Sequence, residues 1–323
     1  MIDVVALGEL LIDFTCVSTD GDGYPTMAAH PGGAPANFLA ALAGYGARAA
    51  LIGKVGGDTF GRTLAKTLKS AGIETRGLVL SDEVFTTLAF VTLSEGGERE
   101  FAFARKPGAD TCLSFEEIDT GLIDEARVFH FGTLSLTDEP ARSATYRAVA
   151  YAKEKGKLIT YDPNLRKPLW KDLDEAKKQL LWGLGQADVV KISEDEVEFL
   201  FGLGPEAGAD YILKNFPVKL VFVTCGGDGC VFKNAKAEGR VSSLKDVVRI
   251  DTTGAGDIFG GSALFQILQL GKAPEELGEE ELVKITAFAC AGAGLSTAKL
   301  GGISSVPTLT EVLETMKKEY GLG

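Results

Sequence analysis

The chain has 323 residues and a formal net charge of −12, with 45% hydrophobic and 24% charged residues, the balance of a soluble globular enzyme with a substantial core. Such acidity argues against nucleic acid or an anionic membrane as a partner, because both reward basic patches; a small anionic ligand needs only local positive potential. Five cysteines, Cys16, Cys112, Cys225, Cys230 and Cys290, lack C-x-x-C spacing, which argues against a zinc site or disulfide framework and for idle thiols in a reducing cytoplasm.

In chain order, "MIDVVALGELLIDF" opens with a core strand; it has neither the basic region nor the cleavage site of a signal peptide. A polar, glycine-rich stretch follows at 15–33. "AALIGKVG" reads as the next buried strand. Residues 86–110, "TTLAFVTLSEGGEREFAFARKPGAD", read as a hairpin turning at Glu95-Gly96-Gly97. Then "VFHFG", "KLITYDP", "DVVKIS" and "KLVFVTCG" read as strands, with helical patterns such as "EPARSATYRAVAYAKEKG" and "DLDEAKKQLLWGLG" between them. Strands alternating with helices predict an α/β domain whose mainly parallel sheet is covered on both faces. Functional residues then belong just past the carboxyl ends of the strands. The insertions at about 11–31 and 85–110 are expected to form a small β-sheet lid on a single domain spanning 1–323. No apolar run approaches the ~18 residues of a membrane span. His30 and His130 carry no motif and read as loop or core residues.

A P-loop is absent. "GLGPEA" at 202–207 fits G-x-G-x-x-A superficially, yet it follows the amphipathic "EDEVEFLFG" and not a strand, so it reads as a helix-ending turn. "DTTGAGDIFGGS" at 251–262 is more informative. Backbone N–H groups of Gly254, Ala255 and Gly256 at a helix start suit a transferring phosphoryl group. Asp257, in the first turn, then faces the attacking hydroxyl and accepts its proton, as a catalytic-loop aspartate does in protein kinases. Its position near a helix N-terminus predicts a low pKa.

"DTTGAGDIFGGS" also resembles the second signature of the ribokinase or pfkB carbohydrate kinase family, and "HPGGAPANFLAALAGYGARAALIGKVGGDTFG" at 30–61 resembles the first. The resemblance covers the whole chain in the right order. It implies a ribokinase-like three-layer αβα fold with a lid, and an ATP-dependent kinase. In its light Asp13 of "GELLIDF" accepts sugar hydroxyls, Gly32 and Gly33 let the sugar approach the backbone, and Asn37 binds hydroxyls. "KISEDE" at 191–196 matches the N-x-x-E element. Lys191 and Ser193 then lie at the nucleotide, with Ser193 where most members have Asn, and Glu196 organises Mg²⁺. "VTCGGDG" at 223–229 matches the nucleotide loop through Thr224, Gly226 and Gly229, and Cys290 lies on the helix beside the adenine. A monovalent cation, usually potassium, is implied at Asp251, at the carbonyls of Thr253, Thr297, Leu300 and Gly302, and at Ser305.

"GELLIDF", "FARKPGAD", "HFGTLSL" and "YDPNLRKPLW" are most similar to fructokinases. Arg105 and Arg166 are the cations expected at the substrate or the terminal phosphate, and Phe101 and Phe103 on the lid pack over the sugar or form the lid's own core. The expected reaction converts D-fructose and MgATP to fructose 6-phosphate and ADP. Kinases of the same fold for 2-keto-3-deoxygluconate, ribose or a nucleoside are the alternatives; a keto acid requires a cation, which Arg105 supplies. A non-catalytic sugar sensor is the alternative from another class. A homodimer through the lid sheet is expected to accompany catalysis.

Overall fold

The structure, a computed structural model, describes residues 1–93 and 99–322, and the backbone alone for 92, 93 and 99–101. Among the described residues, ten strands form the main sheet. β1 (Ile2–Leu7) lies near its centre. β4 (Ala49–Gly56), β5 (Ile73–Glu74) and β6 (Leu78–Ser81) lie to one side of it. β9 (Ala126–Gly132), β10 (Leu158–Asp162), β11 (Val189–Ser193) and β12 (Leu220–Thr224) follow on the other, all parallel. β13 (Cys230–Asn234) and β14 (Glu238–Val241) finish that edge antiparallel.

Valine- and isoleucine-rich runs form these strands because both faces are buried. The period of two sends Val4 and Ala6 into one core and Val5 and Leu7 into the other. The first core is closed by α1 (Ala34–Gly44), α2 (Thr59–Ser70), α8 (Ala255–Leu270), α9 (Glu279–Ser296) and α10 (Leu309–Tyr320). The second is closed by α3 (Thr120–Glu125), α4 (Ala141–Glu154), α5 (Leu173–Leu184), α6 (Glu194–Phe201) and α7 (Pro205–Asn215). The glycine turn at 202 ends α6 as expected, with φ 66° at Gly202, and α7 starts at Pro205.

The second sheet has the order β3-β2-β7-β8, from β2 (Leu11–Thr19), β3 (Pro25–Gly32), β7 (Leu88–Leu93) and β8 (Arg99–Ala104). The expected turn at Glu95-Gly96-Gly97 and the Phe101 side chain lie outside the described residues. Phe14 of the lid stacks on Phe90 at 5.2 Å and meets Phe60 of α2 edge-on at 5.7 Å, so the sheet is anchored to the main domain by aromatic contacts. No helix among the described residues is long and apolar enough to cross a membrane.

Candidate active site

Gly254 caps the N-terminus of α8, and its φ of 77° suits glycine. Space makes the same demand: a Cβ there would lie 3.0 Å from Asn37 Nδ2. Gly256 is equally confined, since a Cβ would stand 2.9 Å from Lys191 Nζ. Asp257 occupies the first turn and is buried. The glycines after it have a packing reason. A Cβ on Gly261 would lie 2.3 Å from the Phe38 carbonyl oxygen, so glycine lets α1 close onto α8. That contact brings Asn37 to Asp257, and Asn37 Nδ2 donates to Asp257 Oδ2 at 2.9 Å. Asn164, just past β10, donates through Nδ2 to Oδ1 at 3.0 Å.

Two cavities meet here, at the carboxyl ends of the parallel strands. One of about 400 Å³ is lined by Lys191, Ser193, Thr224, Gly226, Gly229, Ala255, Gly256, Cys290 and Thr297, with apolar walls from Leu244, Val247 and Phe259. The other, about 210 Å³, is lined by Glu9, Asp13, Gly33, Asn37, Phe103, Asn164, Arg166, Gly254 and Asp257. Lys191, Thr252 and Gly256 line both. The first has the mixed character of a nucleotide site, with Cys290 on its α9 wall. The second is polar, and Val91 and Phe103 of the second sheet also line it. Gly32 stands behind Asp13: a Cβ on it would lie 2.0 Å from Asp13 Oδ2.

A model of the pfkB family of carbohydrate kinases matches residues 1–309. The chain belongs to the pfkB carbohydrate kinase family. It is 44% identical to fructokinase-1 of Zea mays, over 98% of both chains. Its fold matches a fructokinase of Xylella fastidiosa solved with bound ATP, at TM-score 0.90 and 29% identity, over 99% of this chain and 100% of that one. A double-mutant fructokinase of Vibrio cholerae O395, solved with fructose, ADP and potassium, matches at TM-score 0.86 and 31% identity over 98% of each chain. This pfkB protein is therefore a sugar kinase, a phosphotransferase whose acceptor is a sugar hydroxyl, on a ribokinase-like α/β fold.

The kinase site departs from the sequence reading at several residues. Asp257 was expected to have a low pKa; burial instead raises it, although Lys191, Asn37 and Arg166 pull it down. Desolvation outweighs the helix dipole here. Arg105 does not line the cavity that holds Asp257. Its guanidinium is buried, donating to Asp110 Oδ2 at 2.8 Å, Thr137 Oγ1 at 2.7 Å and the Leu134 carbonyl at 2.8 Å. It ties the end of β8 to the loop after β9. Arg166 does line the sugar-sized cavity.

Glu196 is likewise committed. Its carboxylate accepts from Leu165 N at 2.7 Å and Ser193 N at 2.8 Å, and it lines neither cavity. Ser193 caps α6 and accepts from Glu196 N at 3.3 Å; serine suits an N-cap as asparagine does.

The predicted cation residues lie on two segments joined by hydrogen bonds. Asp251 Oδ1 accepts from Thr253 N at 2.9 Å and Thr253 Oγ1 at 2.7 Å, and Oδ2 accepts from Gly301 N at 2.9 Å. The Thr297 carbonyl accepts from Asp251 N at 3.1 Å. Ser304 Oγ donates to the Leu300 carbonyl at 3.0 Å, and Ser305 Oγ donates to the Gly302 carbonyl at 2.8 Å. The donors are all oxygens with one carboxylate, which suits a hard cation of low charge.

Three site residues escaped the sequence reading. Glu9 is buried and accepts from Ala34 N, the first residue of α1, at 2.8 Å. Asp162, the last residue of β10, holds Lys191 Nζ at 3.0 Å. Asn164 stands in "YDPNLR", where Pro-Asn signals only a turn.

Burial raises the pKa values of Glu9 and Asp13 to about 7, from ordinary values of 4.5 and 3.8. Both lie above their unfolded values, so the folded protein binds more protons between about pH 4 and 7. The stability from these groups is present below that window and is lost as pH rises through 7. Burial lowers the pKa of His130 to about 3, so its effect runs the other way but adds only about 0.4 kcal/mol of stability between pH 6.5 and 8. The unliganded protein is expected to melt lower at pH 8 than at pH 6.5, by on the order of 1 kcal/mol of stability. Thermal melts at the two values check this, and a higher melting temperature at pH 8 would contradict it.

Proposed function

We propose that this kinase phosphorylates D-fructose at the 6-hydroxyl with MgATP. The observation that carries the reading is Asp257, buried where the two cavities meet, with both carboxylate oxygens held by side-chain amides. Sugar in the smaller cavity presents its primary hydroxyl to Asp257. ATP in the larger one brings its γ-phosphoryl group toward the N–H groups of residues 254–256, and Mg²⁺ enters with the nucleotide. Asp257 accepts the hydroxyl proton as the oxygen attacks phosphorus. The donors at the start of α8 steady the charge on the transferring group. Lys191, lining both cavities, adds a buried cation at the crossing point.

The substrate class follows from the polar lining. Asp13, Asn37 and Glu9 line the smaller cavity with hydrogen-bonding groups that do not require a charged sugar. Asn37 Oδ1 is buried and has no hydrogen-bond partner among the described residues; it packs against Gly302, where a Cβ would lie 2.1 Å from it. Arg105, the cation a keto acid would use, is engaged by Asp110, Thr137 and Leu134. Similarity to fructokinases from maize and to those solved with ATP and with fructose agrees with this choice. Potassium fits the oxygens at Asp251, Thr253, Thr297, Leu300, Gly302 and Ser305; bound there, it would supply positive charge beside the start of α8. A homodimer through the lid belongs to the same reading; Val17 of β2 and Tyr24 before β3 are exposed apolar residues on that sheet.

The test is ADP release with MgATP and KCl across fructose, 2-keto-3-deoxygluconate, ribose and adenosine. Fructose is expected to give the highest kcat/KM by at least tenfold. Preference for the keto acid would overturn the substrate assignment and require Arg105 to leave Asp110.

A further inference from the structure

A carboxylate held at one oxygen turns freely about its Cβ–Cγ bond. A carboxylate held at both, by donors from different elements, has its plane fixed. Asp257 is in the second condition. Asn37 reaches Oδ2 from α1, and Asn164 reaches Oδ1 from the loop after β10. The free lone pairs are then aimed in one direction, which proton transfer from a bound hydroxyl requires.

The loop carrying Asn164 is itself built for this. Asn164 has φ 44°, the one positive value outside glycine among the described residues. That region costs an ordinary residue roughly 1 kcal/mol, and asparagine tolerates it best. Such a conformation persists when neighbours hold it. Here the next residue is pinned: Leu165 N donates to Glu196 Oε1 at 2.7 Å, while Glu196 Oε2 accepts from Ser193 N at 2.8 Å. The buried carboxylate of Glu196 therefore joins the Asn164 loop to the turn between β11 and α6.

We infer that Asn164 is a positioning residue that fixes the carboxylate of Asp257 for proton transfer, and that Glu196 serves the reaction by holding the Asn164 loop. The inference rests on Asp257 being the base. It separates two roles on one wall. Asn37 holds Asp257 from α1, its own carbonyl oxygen buried against Gly302; Asn164 determines which way the base points. Lys191 and Asp162 from the strand ends, Arg166 from the same loop, Asp13 from the lid and Glu196 from α6 are the charged groups around it.

The variant to test is Asn164→Gly, because glycine adopts φ 44° without strain and removes only the amide. Wild type, Asn164→Gly, Asp257→Asn and the double variant are compared with fructose and MgATP, using single-turnover rates for the slow ones. Asn164→Gly is expected to lower kcat about 10- to 100-fold, with the KM for ATP and the melting temperature essentially unchanged. In the Asp257→Asn background the same change is expected to cost less than about twofold, because the group it aims is gone. A rise in the fructose KM with kcat intact would make Asn164 a sugar ligand and overturn the inference. So would a full additional loss in the Asp257→Asn background. Wild-type turnover with an unimpaired Asn164→Gly enzyme overturns the positioning role alone; an idle wild type overturns the fructokinase reading and the inference with it.

Discussion

Replacing Asp257 by Asn lowers kcat for sugar phosphorylation by about 10²- to 10⁴-fold, the range for loss of a general base, with the KM for ATP changing little. The substitution preserves volume at a buried position of the first turn and removes the proton acceptor. The residual rate comes from the donors at Gly254–Gly256 and from holding the two substrates together, neither of which needs the carboxylate. Burial raises the pKa of Asp257, while Lys191, Asn37 and Arg166 favour its charged form. A raised pKa makes it a stronger base than a surface aspartate would be, and the neighbouring donors keep it from being lost to protonation. Steady-state kinetics with coupled ADP detection measure the effect. A loss below about tenfold would mean that another group takes the proton.

Lys191→Met is expected to have the second-largest effect, on stability and rate together. The ammonium is buried against Asp162 at 3.0 Å. Burial disfavours its charge, but Asp162, Glu196 and Asp257 outweigh that and keep it protonated. Methionine fills the space and leaves Asp162 buried without its counter-ion, a change that costs about 3–5 kcal/mol. Burial already raises the pKa of Asp162, so the unpaired acid escapes part of the cost by taking a proton at lower pH. The loss is therefore larger at pH 8 than at pH 6. Urea unfolding at both pH values measures it. Adding Asp162→Asn is expected to restore most of the stability and little of kcat, because the cation between the cavities is still missing. Unchanged unfolding midpoints at pH 8 would show that the pair does not hold the site together.

Much of this architecture is legible from pattern alone. β1, β4, β9, β10, β11 and β12 are continuous apolar runs, and the alternating 86–110 segment yields β7 and β8. β5 and β13–β14 are short or at the edge and carry no such run. The donor-rich start of α8 is visible as G-A-G, whose Gly254 has the positive φ that favours glycine. What a sequence does not display is the partner. Arg105 reads as an available cation until Asp110, Thr137 and Leu134 are seen around it. Glu196 reads as a metal-organising acid, and nothing in the sequence shows the two backbone amides that its oxygens also hold. Asp257 reads as a weakly basic helix acid because the dipole is local and its burial is not. Gly261 reads as part of a catalytic signature, though its space is taken by the Phe38 carbonyl. Asn164 carries only a turn signal, and the hydrogen bond that matters spans from residue 164 to residue 257.

Product identification by ³¹P and ¹H NMR, after incubation with D-fructose, MgATP and KCl, is the decisive measurement of what this kinase makes. Stoichiometric ADP and a single sugar phosphate carrying the group at C6 are expected, absent with Asp257→Asn over the same time. Inorganic phosphate in place of a sugar phosphate, or a phosphoryl group on any other fructose oxygen, would contradict the proposed reaction.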